Sequence, residues 1–257
     1  MAAAGPRCRA FRQESYRRSD IAIPVSRRRA EHPLYLWAAV LAIAVVIAGF
    51  ARTFYLKAVF DPSPMTVLVA AHGVVMSGWF LLFFAQARLV AGGRVATHRK
   101  LGAFGALLAV AVLVLGTATA ITAGHLGRVP PGAPPPPIFL VVPLGDMFVF
   151  ACLVGAGLWL RKRSDWHKRL MLLSCVGMLT AAISRIPIEA WRQAGLVPYF
   201  LATCALVLAC IAWDTLRNRR LHPAFVIGGL LVVLSWPLRL MLSGTDAWMR
   251  FAQRLIA

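Results

Sequence analysis

Long apolar runs constrain the fold of this chain more than any other feature of its sequence. Seven segments are long enough to cross the hydrocarbon core of a bilayer, which takes about 20 residues of helix. They run roughly over 34–58, 65–90, 101–124, 138–160, 169–190, 197–216 and 223–243. The chain is 60% hydrophobic and only 14% charged, whereas soluble domains contain about 25% charged residues. The sequence therefore predicts an all-α polytopic membrane protein, a bundle of seven transmembrane helices.

The distribution of basic residues indicates how such a bundle is oriented. The formal net charge of +19 would favour a nucleic-acid partner in a soluble protein. Here the basic residues cluster before the first segment and in the turns after the second, fourth and sixth, as the positive-inside rule describes for cytoplasmic loops. We therefore expect no nucleic-acid partner, a cytoplasmic N-terminus and, after seven crossings, a C-terminus outside. The expected partners are the lipid bilayer and, at the basic tail and loops, its anionic headgroups.

Three regions are predicted along the chain. Residues 1–33 contain eight arginines and precede every apolar run, which indicates a disordered basic cytosolic tail. Residues 34–243 form the seven-helix transmembrane domain. Residues 244–257 begin with a Thr/Asp cap signal and place Trp248 and Phe251 on one helix face. This last region is predicted to be a short amphipathic helix on the outer membrane surface.

Three histidines stand where helices begin on the predicted cytoplasmic side: His98, His167 and His222. Neutral imidazole is the commonest metal-binding side chain, so three histidines at one depth on separate helices indicate ligands for haem iron or another metal. Interfacial anchoring is the alternative, because His, Arg and Lys beside Trp are common at headgroup depth. The cofactor stays open, with haem b as the leading candidate.

A second polar layer lies deeper in the outer half of the bundle, at a depth counted from the helical rise of about 1.5 Å per residue. Its members come from four helices: His72, Asp146, Arg185 and Arg239. Ionisable groups at such depth usually face inward and pair, because lipid solvates them poorly. The sequence predicts that the four line an outward-facing polar pocket for a small anionic or quinone ligand. Structural pairing alone is the alternative.

Several stretches of the chain are similar to a group of uncharacterised bacterial polytopic integral membrane proteins. They are VAAHGVVMSGWFLLFFAQ (69–86), THRKLG (97–102), PLGDMFVFA (143–151), HKRLMLLS (167–174), LHPAF (221–225) and SWPLRLMLSGTDAWMRFA (235–252). The resemblance runs from about Phe50 onward and implies a multi-pass protein of the bacterial inner membrane. The placement of histidines on successive helices also resembles, more loosely, the transmembrane b-type di-haem cytochromes of the ascorbate-linked type.

Two functions are compatible with these features. The first is a haem- or metal-binding redox or electron-transfer protein with an outward-facing polar pocket. The alternative is a transporter, or a small-molecule-binding or assembly protein, that works without a cofactor. The sequence has no HExxH, GxSxG or Gly-rich phosphate motif, which disfavours a metal-dependent hydrolase. Whether the protein is an enzyme stays open.

Overall fold

A computed structural model describes residues 25–130 and 132–257 of the chain. Side chains are described from Pro33 onward, except those of Pro131 and Arg192. Most of the predicted basic tail, residues 1–24, therefore lies outside the described residues. The first helix already begins at Val25, nine residues before the predicted start of the first span.

The described secondary structure is helical. The helices, in chain order, are α1 (Val25–Phe50), which continues as a π-helical turn (Ala51–Tyr55), α2 (Lys57–Phe60), α3 (Val67–Ala91), α4 (Val95–His125), α5 (Pro136–Phe139), α6 (Val141–Trp159), α7 (Ser164–Gly177), α8 (Thr180–Ile183), α9 (Glu189–Gln193), α10 (Val197–Asn218), α11 (Pro223–Ser243) and α12 (Asp246–Ile256).

Six spans within the described residues are long and apolar enough to cross a membrane. They are Pro33–Tyr55, Val67–Ala91, Val95–His125, Pro136–Trp159, Val197–Asn218 and Pro223–Ser243. Large apolar side chains on these helices face outward, among them Val67, Leu107 and Met241, as expected where lipid surrounds a protein. The chain is therefore an all-α, polytopic integral membrane protein.

The fifth predicted segment, 169–190, does not form one long helix. Helix α7 ends at Gly177, and α8 begins at Thr180 after a tight turn. In that turn the N–H groups of Met178 and Leu179 donate to carbonyls three residues back, which is the 3₁₀ pattern. The first turn of α7 is also charged. Lower hydropathy and a break in the helix are therefore the two reasons why this segment is not among the six long apolar spans.

Helix α7 lies in the middle of the bundle. It packs against α1, α6, α10 and α11, and its residues Leu172 and Leu173 are almost completely buried. The short helix α8 packs against α1 and α10. Gly49 makes this contact close, because a Cβ at that position would collide with the backbone of Ala182.

The turns between α3 and α4, α6 and α7, and α10 and α11 meet at one end of the bundle, which we call the basic end. The imidazole rings of His98 and His167 join the first turn to the second. A hydrogen bond between His222 and Asp165 joins the second turn to the third. Most of the basic residues of the described loops lie here.

The C-terminal helix α12 docks at the opposite end. The Thr245 hydroxyl caps its first turn by accepting from the backbone N–H of Trp248 at 3.2 Å. The Trp248 indole donates to the carbonyl of Pro137 at 2.9 Å. The His125 ring lies 2.9 Å from the carbonyl of Ile256. The helix is thus held to α5 and to the end of α4, while its position on the outer membrane surface stays a prediction.

Candidate functional site

Two of the four outer residues form an ion pair, and the other two lie within electrostatic reach of each other. Asp146 on α6 and Arg239 on α11 form an ion pair with a 2.6 Å contact, and their side chains are 14% and 7% exposed. The Arg239 guanidinium also donates to the Val142 carbonyl at 3.2 Å and to the Ser235 hydroxyl at 3.1 Å. It crosses directly over Gly145, where a Cβ would collide with it. A glycine one position before the acid thus makes the close approach of the pair sterically feasible.

A small cavity adjoins this ion pair. Its volume is about 10 Å³, on the order of one water molecule. Besides Asp146 and Arg239 it is lined by Phe150, Ser174 and Trp236, among others. The Nε–H of Arg239 is buried and has no hydrogen-bond partner among the described residues. The pair therefore keeps one unsatisfied donor, beside a space of the right size for a water or a small polar group.

We call His72 and Arg185 the second outer pair, although no hydrogen bond joins them within the described residues. The positive charge of Arg185 lies within electrostatic reach of His72. Arg185 donates to the Ala181 carbonyl at 2.6 Å and stacks over the Phe50 ring at 4.8 Å. The Nδ1 atom of His72 is buried and has no hydrogen-bond partner in the described part of the chain.

The π-helical turn Ala51–Tyr55 shapes this second pair. The Phe54 ring fills the space above Gly73, next to His72, and the Tyr55 hydroxyl bonds to the Ser77 hydroxyl at 2.7 Å. Such π-bulges are frequent at functional sites. Neither His72 nor Arg185 lines the cavity beside Asp146. A single pocket that contains all four residues therefore stays a prediction.

His98 and His167 make an edge-to-face ring contact at the basic end. Their ring centres lie 6.2 Å apart, with an angle of 78° between the ring planes. The Nδ1 atom of His167 lies 2.8 Å from the Gly157 carbonyl, and a carbonyl only accepts. The proton of His167 therefore sits on Nδ1, and its Nε2 keeps a free lone pair. The Nδ1 atom of His98 is buried without a hydrogen-bond partner among the described residues.

Gln86 on α3 adds a polar group beside α4, about one helical turn from His98. Its amide nitrogen lies 3.7 Å from the position of a Cβ on Gly102, and Gly102 shares a helix face with His98 four residues earlier. The amide oxygen of Gln86 is buried and lacks a partner within the described ranges. Two neighbouring side chains on α3 and α4 therefore keep unsatisfied polar atoms at this level.

His222 has different neighbours. Its Nδ1 atom accepts from the Ala224 N–H at 3.1 Å and so caps α11, which leaves the proton on Nε2. That N–H donates to the Asp165 carboxylate at 3.0 Å, and the ring packs against Trp166 with 5.6 Å between centres. Burial raises the pKa of the Asp165 carboxyl, but the His222 hydrogen bond and backbone hydrogen bonds outweigh burial and leave this pKa below its ordinary value.

Both ring nitrogens of His222 are thus engaged, whereas His98 and His167 have nitrogens available. Among residues 33–130 and 132–257, no group of three or more His, Cys, Asp or Glu side chains is arranged to hold a metal ion. The structure brings two of the three predicted ligands together and gives the third its own hydrogen bonds.

One buried ion pair was not predicted from the sequence. Arg169 on α7 and Asp214 on α10 form a two-pronged ion pair, with N–O distances of 2.8 to 3.0 Å. Their side chains are 3% and 2% exposed. The signal in the sequence was Asp214 itself, which is the single acid in the apolar run 197–218 and hence requires a buried cation.

Comparisons with protein-family models, with curated proteins and with solved structures find no match to this chain. The geometry of the site therefore carries the functional argument, and the family resemblance stays a prediction.

Proposed function

We propose that the chain crosses the bacterial inner membrane seven times, with its N-terminus in the cytoplasm. Helices α7 and α8 would make the crossing that is not among the six long spans: from Ser164 to Ile183 they would be about 30 Å long at the helical rise, enough to reach across the hydrocarbon core with Asp165 at its edge. Their place inside the bundle removes the need for an apolar face toward lipid, since α1, α6, α10 and α11 cover them. The three basic turns at one end support a cytoplasmic position for that end.

We propose further that the protein is a membrane-embedded redox protein that holds a metal-centred cofactor, haem b in the first instance, between His98 and His167. One observation carries this proposal. The two rings are neighbours in an edge-to-face contact, and the Gly157 carbonyl fixes the His167 proton on Nδ1, so that Nε2 is free. Metal-binding histidines almost always donate their other ring N–H to a carbonyl or carboxylate in this way.

The distance between the rings fits such a ligand pair. His98 and His167 would each offer one ring nitrogen to the metal, at a bond length of about 2 Å, and their ring centres lie 6.2 Å apart. An ordinary edge-to-face ring pair has a similar distance. The hydrogen bonding of the nitrogens supports the proposal of a ligand pair, because packing alone requires neither a fixed Nδ1 proton on His167 nor an unpartnered Nδ1 on His98.

When bound, haem would supply one-electron chemistry at a potential set by its ligands and surroundings. The chain would contribute the two imidazoles and their orientation. His222 is then a positioning residue, because its hydrogen bond to Asp165 fixes the start of α7 two residues before His167.

Visible spectroscopy tests the proposal. The protein purified in detergent should show a Soret band and an α band in reduced-minus-oxidised spectra, together with iron by elemental analysis. Both bands should disappear in His98→Ala and in His167→Ala. His125→Ala is the matched control, since His125 lies at the opposite end against Ile256 and its loss should leave the bands unchanged.

Elution as a single peak in size-exclusion chromatography would show that each variant is folded. A colourless, metal-free wild-type preparation would refute the redox proposal. So would bands that persist in both His98→Ala and His167→Ala.

A second candidate function rests on the outer half. The unsatisfied Nε–H of Arg239 beside a small cavity, and the unpartnered Nδ1 of His72 near Arg185, favour a site that binds a small anionic or quinone ligand. In a protein without a cofactor this site would serve transport or assembly. A metal-free preparation whose thermal stability rises with a quinone or a small carboxylate, but not after Arg239→Met, would favour this function over the first.

A further inference from the structure

An open groove of about 650 Å³ lies between α3 and α4 at the basic end. Its walls are partly apolar, with Phe84, Leu89 and Leu101 among the lining residues, and two arginines, Arg88 and Arg94, also line it. The groove therefore combines an apolar surface with two cationic groups, at the level where a helix pair leaves the hydrocarbon core.

The positive charge of this groove is not neutralised by the helices that form it. No acidic residue occurs between Asp61 and Asp146 in the sequence, so neither α3 nor α4 carries one. Arg88 and Arg94 are exposed. No ion pair joins either guanidinium to another side chain within the part of the chain that the structure describes.

We propose that this groove binds one anionic phospholipid, with the phosphate between Arg88 and Arg94 and an acyl chain along Phe84 and Leu101. Charge complementarity selects the headgroup, because guanidinium groups bind phosphate through paired, charge-assisted hydrogen bonds. The apolar lining selects a lipid over a free anion. Basic pockets between transmembrane helices on the cytoplasmic side are suited to acidic headgroups. The proposal does not depend on a cofactor at His98.

Binding of fluorescently labelled phosphatidylglycerol to the full chain in a neutral detergent tests the proposal. We expect saturable binding that unlabelled phosphatidylglycerol displaces and that phosphatidylcholine or inorganic phosphate at the same concentration does not. Each basic residue near a headgroup contributes roughly a fivefold gain in affinity. The double variant Arg88→Gln/Arg94→Gln should therefore weaken binding on the order of 25-fold.

The control is a second exposed basic pair at the same end, changed as Arg217→Gln/Arg220→Gln. It removes the same charge from the α10–α11 turn and should leave the affinity within about twofold of wild type. An equal loss in both double variants would show diffuse attraction and overturn the proposal. Equal displacement by phosphatidylcholine would overturn it too, and displacement by inorganic phosphate would identify a free anion as the ligand instead. Because all four arginines are exposed, their replacement should not prevent folding, and size-exclusion chromatography checks this.

Discussion

The ion pair between Arg169 and Asp214 gives the sharpest test of how this bundle is held together. It connects the central helix α7 to α10, with three N–H···O contacts between 2.8 and 3.0 Å. The guanidinium also donates to the Asp165 carbonyl at 2.8 Å and stacks on the Phe225 ring. Both side chains are almost completely buried. Removal of either partner therefore leaves an uncompensated charge that water cannot reach.

The magnitude follows from that burial. Loss of one partner of a buried ion pair costs about 3–5 kcal/mol, whereas replacement of both by apolar residues of similar size is often nearly neutral. We therefore expect Asp214→Leu and Arg169→Met each to lower the free energy of unfolding by about 3–5 kcal/mol. The double variant should lose much less than the sum of the two single losses, with a difference above about 2 kcal/mol.

Wild type, the two single variants and the double variant together make a double-mutant cycle. The free energy of unfolding of each is measured by equilibrium unfolding in mixed micelles of a mild detergent and dodecyl sulfate, followed by tryptophan fluorescence. Asp61→Ala is the control, since its ion pair with Lys57 is exposed and should contribute nothing measurable. Single losses below about 1 kcal/mol, or losses that simply add in the double variant, would refute the reasoning.

Two further predictions follow from single contacts. Gly145→Ala should displace the Arg239 guanidinium, lower the free energy of unfolding by about 1–3 kcal/mol and so lower the thermal unfolding temperature in detergent. Gly155→Ala on the same helix is the control: nothing lies within 4 Å of its new Cβ, so it should leave that temperature no lower than in wild type. Asp165→Asn should lower the thermal unfolding temperature by a few degrees at pH 6. The pKa of the Asp165 carboxyl is depressed in the folded protein, so the ionised carboxylate stabilises the fold above its ordinary pKa of about 4 and this stabilisation is lost as the pH falls further. A difference from wild type that grew below pH 4 would contradict the assignment of Asp165.

The transmembrane helices were predictable because a single physical requirement dominates them. A span must be apolar over about 20 residues, and this pattern is visible in a sequence without any knowledge of partners. The segment 169–190 was harder to predict, since helix α7 carries Lys168 and Arg169 where the segment begins and its break depends on hydrogen bonding at Met178. A hydropathy profile averages over a window of residues and does not show where α-helical hydrogen bonds give way to 3₁₀ hydrogen bonds.

Of the candidate site, only the level of each residue along its own helix could be predicted from the sequence. Counting along each helix placed Asp146 and Arg239 at one level, and the structure joins them. The same count placed His222 level with His98 and His167 without showing that the His222 nitrogens bond elsewhere. Helical periodicity assigns a side chain to a face of its own helix, but the rotation of one helix against the next is decided by packing. The partner of Asp214 was missed for that reason.

The break between α7 and α8 changes the direction in which side chains on the two sides of the break point. His167 and Arg185 are eighteen residues apart, which is five whole turns of a continuous α-helix and would place both on one face. Between them, Met178, Leu179 and other N–H groups donate three residues back, and each residue in a 3₁₀ turn rotates the chain roughly 20° more than in an α-helix. A few such residues turn Arg185 away from the face of His167 and toward Phe50 on α1, where it stacks. The tighter winding thus allows the central element to present one end to the histidine pair and the other to His72.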